Sequence, residues 1–148
     1  MGTGSGKPNS RLKGSTPTFR AITKGKYDRN TKVALPEAYI RKKLKRQNKI
    51  EDGLSVAYAC ADPPTSSELH AITRIPKGII HGTDRLIAED IEAYGNKIGQ
   101  NLYIDPSSSR HANVMGFPSP GLNHEHYDDA EDFAKKFIDE FRPYGPRY

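Results

Sequence analysis

Asp128-Asp129-Ala130-Glu131-Asp132-Phe133-Ala134-Lys135-Lys136-Phe137-Ile138-Asp139-Glu140-Phe141-Arg142-Pro143 is the longest periodic stretch of this sequence. Its apolar residues, Ala130, Phe133, Ala134, Phe137, Ile138 and Phe141, recur every three or four positions. That is the spacing of one helix face. Asp128 stands at the position of an N-cap, with Glu131 where a capping box needs it. Asp129, Glu131 and Asp132 favour the positive end of the helix dipole, and Pro143 ends the helix. Three Phe rings on one face, at roughly 1.5–3 kcal/mol each when buried, predict that this helix anchors on a sheet.

Working outward, strands are expected where short apolar or alternating runs meet turn residues. These are Phe19-Arg20-Ala21-Ile22, Leu54 to Cys60, Ile79-Ile80-His81, Leu102-Tyr103-Ile104 and His111 to Phe117. Helices are expected from Pro36 toward Lys43, after a cap at Ser66 or Ser67, and from Thr83 or Asp84 to a stop at Gly95. The mixed order predicts an α+β fold: one small domain over residues 17–148, a short-strand sheet packed by the C-terminal helix. Residues 1–16, with four glycines and one proline, are expected to form a disordered tail.

At 148 residues the chain fits one domain. It has no apolar run near the roughly 20 residues of a membrane span. Its opening residues lack the apolar centre of a secretory signal. A single cysteine, Cys60, staples nothing. A cytoplasmic protein without membrane attachment is the expectation. The net charge of +5 hides a split: residues 1–50 hold 14 Lys/Arg against 2 Asp/Glu, and residues 51–148 hold 9 against 16. A basic segment attracts RNA or another polyanion, or an acidic protein partner. Arg41, Lys42, Lys43, Lys45 and Arg46 are its densest run and the expected nucleic-acid contacts, with Tyr27 and Tyr39 near enough in sequence to stack on bases.

Three short signatures, Phe19-Arg20-Ala21-Ile22-Thr23, Gly53-Leu54-Ser55-Val56 and His111-Ala112-Asn113-Val114-Met115-Gly116-Phe117-Pro118, occur in this order. In that order the chain resembles a group of small bacterial proteins with no assigned activity. The resemblance spans residues 17–142 and implies one compact domain, without implying a reaction.

Each signature places a polar group on or beside a strand: Arg20, Ser55 and His111. A histidine near neutral pKa serves as general acid or base, and an arginine binds phosphate. With His81 as a second imidazole, His111 and Arg20 supply the parts of a metal-independent ribonuclease: base, acid and cation. The structural alternative has His111 closing the serine-rich loop and Arg20 pairing with a carboxylate of the final helix. His81-Gly82-Thr83 resembles the turn at the NAD site of diphtheria-toxin-like ADP-ribosyltransferases. Gly99 to Tyr103 with Ser107-Ser108-Ser109 loosely resembles their later tyrosine-bearing strand, and Glu125 is the one option for their glutamate. The plainer alternative is a strand-to-helix turn capped by Thr83. In Asn123 to Asp129 the histidines His124 and His126 lack metal-site spacing, so a loop without metal is expected. The function expected is an RNA- or polyanion-interacting protein, with ribonuclease activity through His111, His81 and Arg20 and no cofactor. The alternatives are a non-enzymatic protein-interaction module and an NAD-dependent transferase.

Overall fold

A computed structural model describes residues 11–148. The tail expected at the start lies outside the described residues for positions 1–10. Positions 11–16 are fastened to the body. Leu12 N donates to the Ile104 carbonyl, and the Arg11 guanidinium lies 3.8 Å from the Tyr103 ring centre.

Seven strands and three helices follow: β1 (Pro17–Thr23), β2 (Lys43–Leu44), β3 (Lys49–Ile50), β4 (Leu54–Ala57), α1 (Ser66–Thr73), β5 (Ile80–Ile87), α2 (Ala88–Ile98), β6 (Tyr103–Pro106), β7 (His111–Met115) and α3 (Tyr127–Phe141). Five strands form one sheet in the order β5-β1-β4-β7-β6, and every paired neighbour is antiparallel. β2 and β3 make a separate hairpin. This is a small α+β fold, as the mixed order of elements predicts.

The alternation of side chains along each strand divides the sheet into two faces. Ile22, Leu54, Val56, Leu86, Ile104, Ala112 and Val114 point into the main core with Ile91 of α2 and Ala134 and Phe137 of α3. Phe19, Ala21, Ala57 and Ile80 point the other way, onto Leu69 of α1. Phe137 is the hub of the main core. Its ring meets Tyr39 at 5.1 Å, Phe117 at 5.0 Å, Tyr94 at 5.5 Å and Phe141 at 4.8 Å. Offset and edge contacts of this kind add to the burial energy.

Several local expectations change. The helix expected after Pro36 is one 3-10 turn, Pro36–Tyr39, and the basic run beyond it becomes the β2-β3 hairpin. The segment expected to leave a strand at His81 for a helix at Thr83 stays extended to Ile87, because β1 pairs with it over seven positions. α2 runs through Gly95 and ends at Gly99, whose φ of 74° is the left-handed turn that favours glycine. No side chain caps α2. The carbonyls of Thr16 and Gly14 take the N–H groups of Ala88 and Glu89 instead, which explains why the opening segment is ordered there. Thr65, rather than Ser66 or Ser67, caps α1 in a capping box with Glu68. α3 begins at Tyr127 after His126, so Asp128 lies inside its first turn rather than at the cap. No described helix is long and apolar enough to cross a membrane.

The two kinds of Phe on α3 differ in burial. Phe137 is fully buried, whereas Phe133 is partly exposed. Urea titration is expected to show Phe137→Ala losing about 3–5 kcal/mol and Phe133→Ala distinctly less. Equal losses would mean that the core is not centred on Phe137.

Candidate functional site

On its side of the sheet α1 covers β5, β1 and the Ala57 end of β4. Beyond the end of α1, the faces of β4 and β7 open into a cavity of about 440 Å³. Its walls include Arg20, Lys42, Glu51, Ser55, His111 and Asn113. Strand register explains the meeting of two of these. Ser55 is opposite Asn113, and Ala57 is opposite His111. Ser55 and His111 are therefore diagonal neighbours on one face, a separation that a long side chain spans. The imidazole reaches across, and its Nε2 lies 2.6 Å from the Ser55 hydroxyl.

Gly53 lets β4 and β7 come this close. A Cβ there would stand 2.7 Å from both the Met115 sulfur and the Val114 carbonyl oxygen. This accounts for the glycine that opens the Gly53-Leu54-Ser55-Val56 signature.

The other ring nitrogen is also held. Ser107 Oγ is 2.5 Å from His111 Nδ1, and the Ser107 hydroxyl donates to the His111 carbonyl at 3.1 Å. A hydroxyl has one proton. With that proton on the carbonyl, Ser107 accepts from Nδ1–H, and Nε2 is left with its lone pair toward Ser55. The turn is tied further by the backbone N–H groups of Ser107 and Ser108, which donate to the same carbonyl. Ser108 Oγ accepts from His111 N. Burial lowers the pKa of His111 from its ordinary 6.5. The arrangement is a neutral imidazole, fixed in one tautomer, with a hydroxyl proton aimed at its free nitrogen. The pattern Ser107-x-x-x-His111 was visible in the sequence only as a serine-rich loop. Its role depends on the tight turn that brings the serine back to the ring.

Arg20 approaches from the core side. β1 and β4 are bridged only at Phe19 and Ala57, so the strands part beyond that point. The guanidinium fills the gap. Its Nε donates to the Ala38 carbonyl at 2.6 Å, and its Nη1 donates to the Ser55 carbonyl at 2.8 Å. It therefore pairs with backbone rather than with a carboxylate of α3, and part of its phosphate-binding fork is already engaged. Its charge still stands at the cavity wall. Burial lowers its pKa, opposed by Tyr39, Glu51 and Asp84.

The basic run divides by role. Arg41 is structural: its Nε and Nη1 donate to the carbonyls of Glu51 and Phe117 and hold the hairpin to the end of β7. Lys43, Lys45 and Arg46 are exposed on the hairpin, and Lys42 stands at its base, against the cavity. Burial lowers the pKa of Lys42, and the neighbouring charges of Lys26 and Arg20 lower it further.

His81 is elsewhere. It lies on β5, separated from β7 by β1 and β4, with its Nδ1 3.5 Å from the Tyr27 hydroxyl. The sequence expectation that His81 joins His111 and Arg20 in one cluster is not what the fold arranges. Nor is His81-Gly82-Thr83 a turn. It is the interior of β5, overlaid by residues 144–148. Thr83 N donates to the Pro146 carbonyl, and Tyr148 N donates to the His81 carbonyl. Arg147 pairs with the buried Asp84 at 2.9 Å. A Cβ on Gly82 would stand 2.6 Å from the Pro146 oxygen. His124 and His126 lie before α3, and no described group of three or more His, Cys, Asp or Glu residues is arranged to hold a metal ion.

No protein-family model matches the chain, and comparison with curated proteins and with solved structures gives no match.

Nitrogen-15 NMR of the histidines is expected to show His111 protonated on Nδ1 when neutral, with a titration midpoint below 6.5. Ser107→Ala should release the tautomer. Between the folded and unfolded midpoints the unfolded chain binds more protons at this site, so its contribution to stability falls as pH drops through that window. A His111 midpoint above 6.5 would contradict the buried, neutral imidazole.

Proposed function

We propose that the protein binds RNA along its basic hairpin and cleaves it by histidine chemistry at the cavity over β4 and β7. The observation that carries this is the orientation of His111. Ser107 holds one nitrogen, and the other faces a cavity whose walls carry Lys42 and Arg20. In the reaction, His111 Nε2 takes the proton of a ribose 2′-hydroxyl, which occupies the position now held by the Ser55 proton. The 2′-oxygen bonds to phosphorus, and the bond from phosphorus to the 5′-oxygen breaks. Lys42 gives its proton to that departing oxygen, the acid role that His81 is too far away to fill. Arg20 and Lys42 offset the charge that builds on the phosphate. A lowered lysine pKa makes the ammonium a better proton donor.

Lys43, Lys45, Arg46 and Lys49 contact the phosphates of the flanking chain, without base selection. The Ser55–His111 contact supports a second mechanism in the same cavity: Ser55 Oγ bonds to phosphorus as His111 takes its proton, the bond from phosphorus to the 5′-oxygen breaks with Lys42 protonating that oxygen, and water then hydrolyses the phosphoserine diester. The two mechanisms differ in their need for a substrate 2′-hydroxyl.

Labelled single-stranded RNA in EDTA is expected to be cut, with products ending in a cyclic phosphate. His111→Ala should slow cutting about 100-fold or more. A 2′-deoxy strand should bind and survive. Cutting of the deoxy strand that depends on Ser55 would favour the serine mechanism. A salt-sensitive gel shift with no cutting by either would leave a binding protein and overturn the catalytic role.

A further inference from the structure

On the other side of the hairpin base lies a second cavity, of about 250 Å³. Lys42 lines both cavities and is the wall between them. Three features of the second cavity fit one kind of ligand. The first is charge: Lys26, Lys42 and Lys43 converge on it. Lys26 is close enough to Lys42 for the pair to repel. Two like charges held together are relieved by an anion between them. The second is an aromatic platform. The rings of His124 and Tyr127 stack with centres 5.4 Å apart and an angle of 23°. The turn before α3 fixes this platform. His124 N donates to the Gly121 carbonyl, and Tyr127 N donates to the His124 carbonyl. His124 takes a left-handed φ of 63°, a conformation uncommon for a residue with a side chain. Its ring is exposed, while Tyr127 is backed by the core. The third is an acceptor: Glu37 stands on the cavity wall, where it can take a hydrogen bond from the amino group of a base.

We propose that this cavity is a nucleotide subsite: the phosphate sits between Lys26 and Lys42, and the base stacks on the His124–Tyr127 platform. The subsite deepens the RNA-cleaving function proposed above, since Lys42 places it beside the reacting phosphate. It assigns a role to His124 that metal-site spacing denies it, and it gives the basic face a base contact that phosphate binding alone does not supply. Its ligand is one nucleotide of a single-stranded chain, or a free nucleoside monophosphate.

The test is calorimetry of the full-length protein with adenosine 5′-monophosphate, adenosine and inorganic phosphate, each in turn. The nucleotide is expected to bind more tightly than either fragment. His124→Ala should weaken nucleotide binding about tenfold, in line with the stacking energy of one base. Lys26→Ala should weaken nucleotide and phosphate alike. His81→Ala, on β5 and outside both cavities, should leave nucleotide binding unchanged. If RNA is never cut yet the nucleotide binds in this pattern, the subsite stands and the catalytic role falls. Phosphate binding as tightly as the nucleotide, or indifference of the nucleotide to both His124→Ala and Lys26→Ala, would overturn the subsite.

Discussion

The buried guanidinium of Arg20 is the constraint on which the rest of the molecule depends. A cation in an apolar interior is tolerated only when its donors and its charge are answered. The answers here come from three directions. The Ala38 carbonyl ties it to the 3-10 turn, the Ser55 carbonyl ties it to β4, and Asp84 faces it across the β1-β5 ladder. Asp84 in turn accepts from Tyr39 at 2.6 Å and from Arg147. Tyr39 then packs on Phe137, the centre of the apolar core. One polar network thus reaches from the C-terminal segment, through the core, to the backbone of the residue that faces His111. Burial raises the pKa of Asp84, while Tyr39 and Arg147 pull it down again. The carboxylate is held by its partners, so loss of either partner leaves a buried charge short of compensation.

The same network explains the position of the cavity. β4 cannot pair fully with β1 because Arg20 stands where the ladder would close. The gap leaves Ser55 fixed from behind by its carbonyl, with its hydroxyl on His111 at the cavity. The hairpin that carries the exposed lysines is clamped by Arg41 to Glu51 and Phe117, so its charge stays beside the cavity. Half of the 18 acidic residues of the chain lie on α2 and α3.

Much of this is legible in the sequence alone. The Phe periodicity gives α3, and the mixed order of elements gives the α+β class. Arg20, Ser55 and His111 stand out because each interrupts an apolar strand signature. The misses have physical causes. Leu86 and Ile87 share a helical spacing with Ile91 and Tyr94, but pairing with β1 outweighs that periodicity and extends β5. Arg41 to Arg46 read as a helix end or a mobile loop, yet a hairpin answers the backbone and leaves Lys43, Lys45 and Arg46 in water. Residues 11–16 read as the end of a glycine-rich tail, whereas the carbonyls of Gly14 and Thr16 cap α2. Residue type alone groups His81 with His111. Strand order, which a single sequence does not reveal, sets them two strands apart. Ser107 was hidden among three serines until the turn chose one.

The central claim is that substrate meets the protein over β4 and β7, beside Lys42. It is tested most directly by mapping backbone amide NMR shifts while a 2′-deoxy dinucleotide, which binds without reacting, is titrated in. The account predicts that the amides of Lys42, Ser55, His111 and Asn113 move together and saturate. Shifts centred on His81 and the C-terminal segment instead, or no saturable shift at these four, would contradict it.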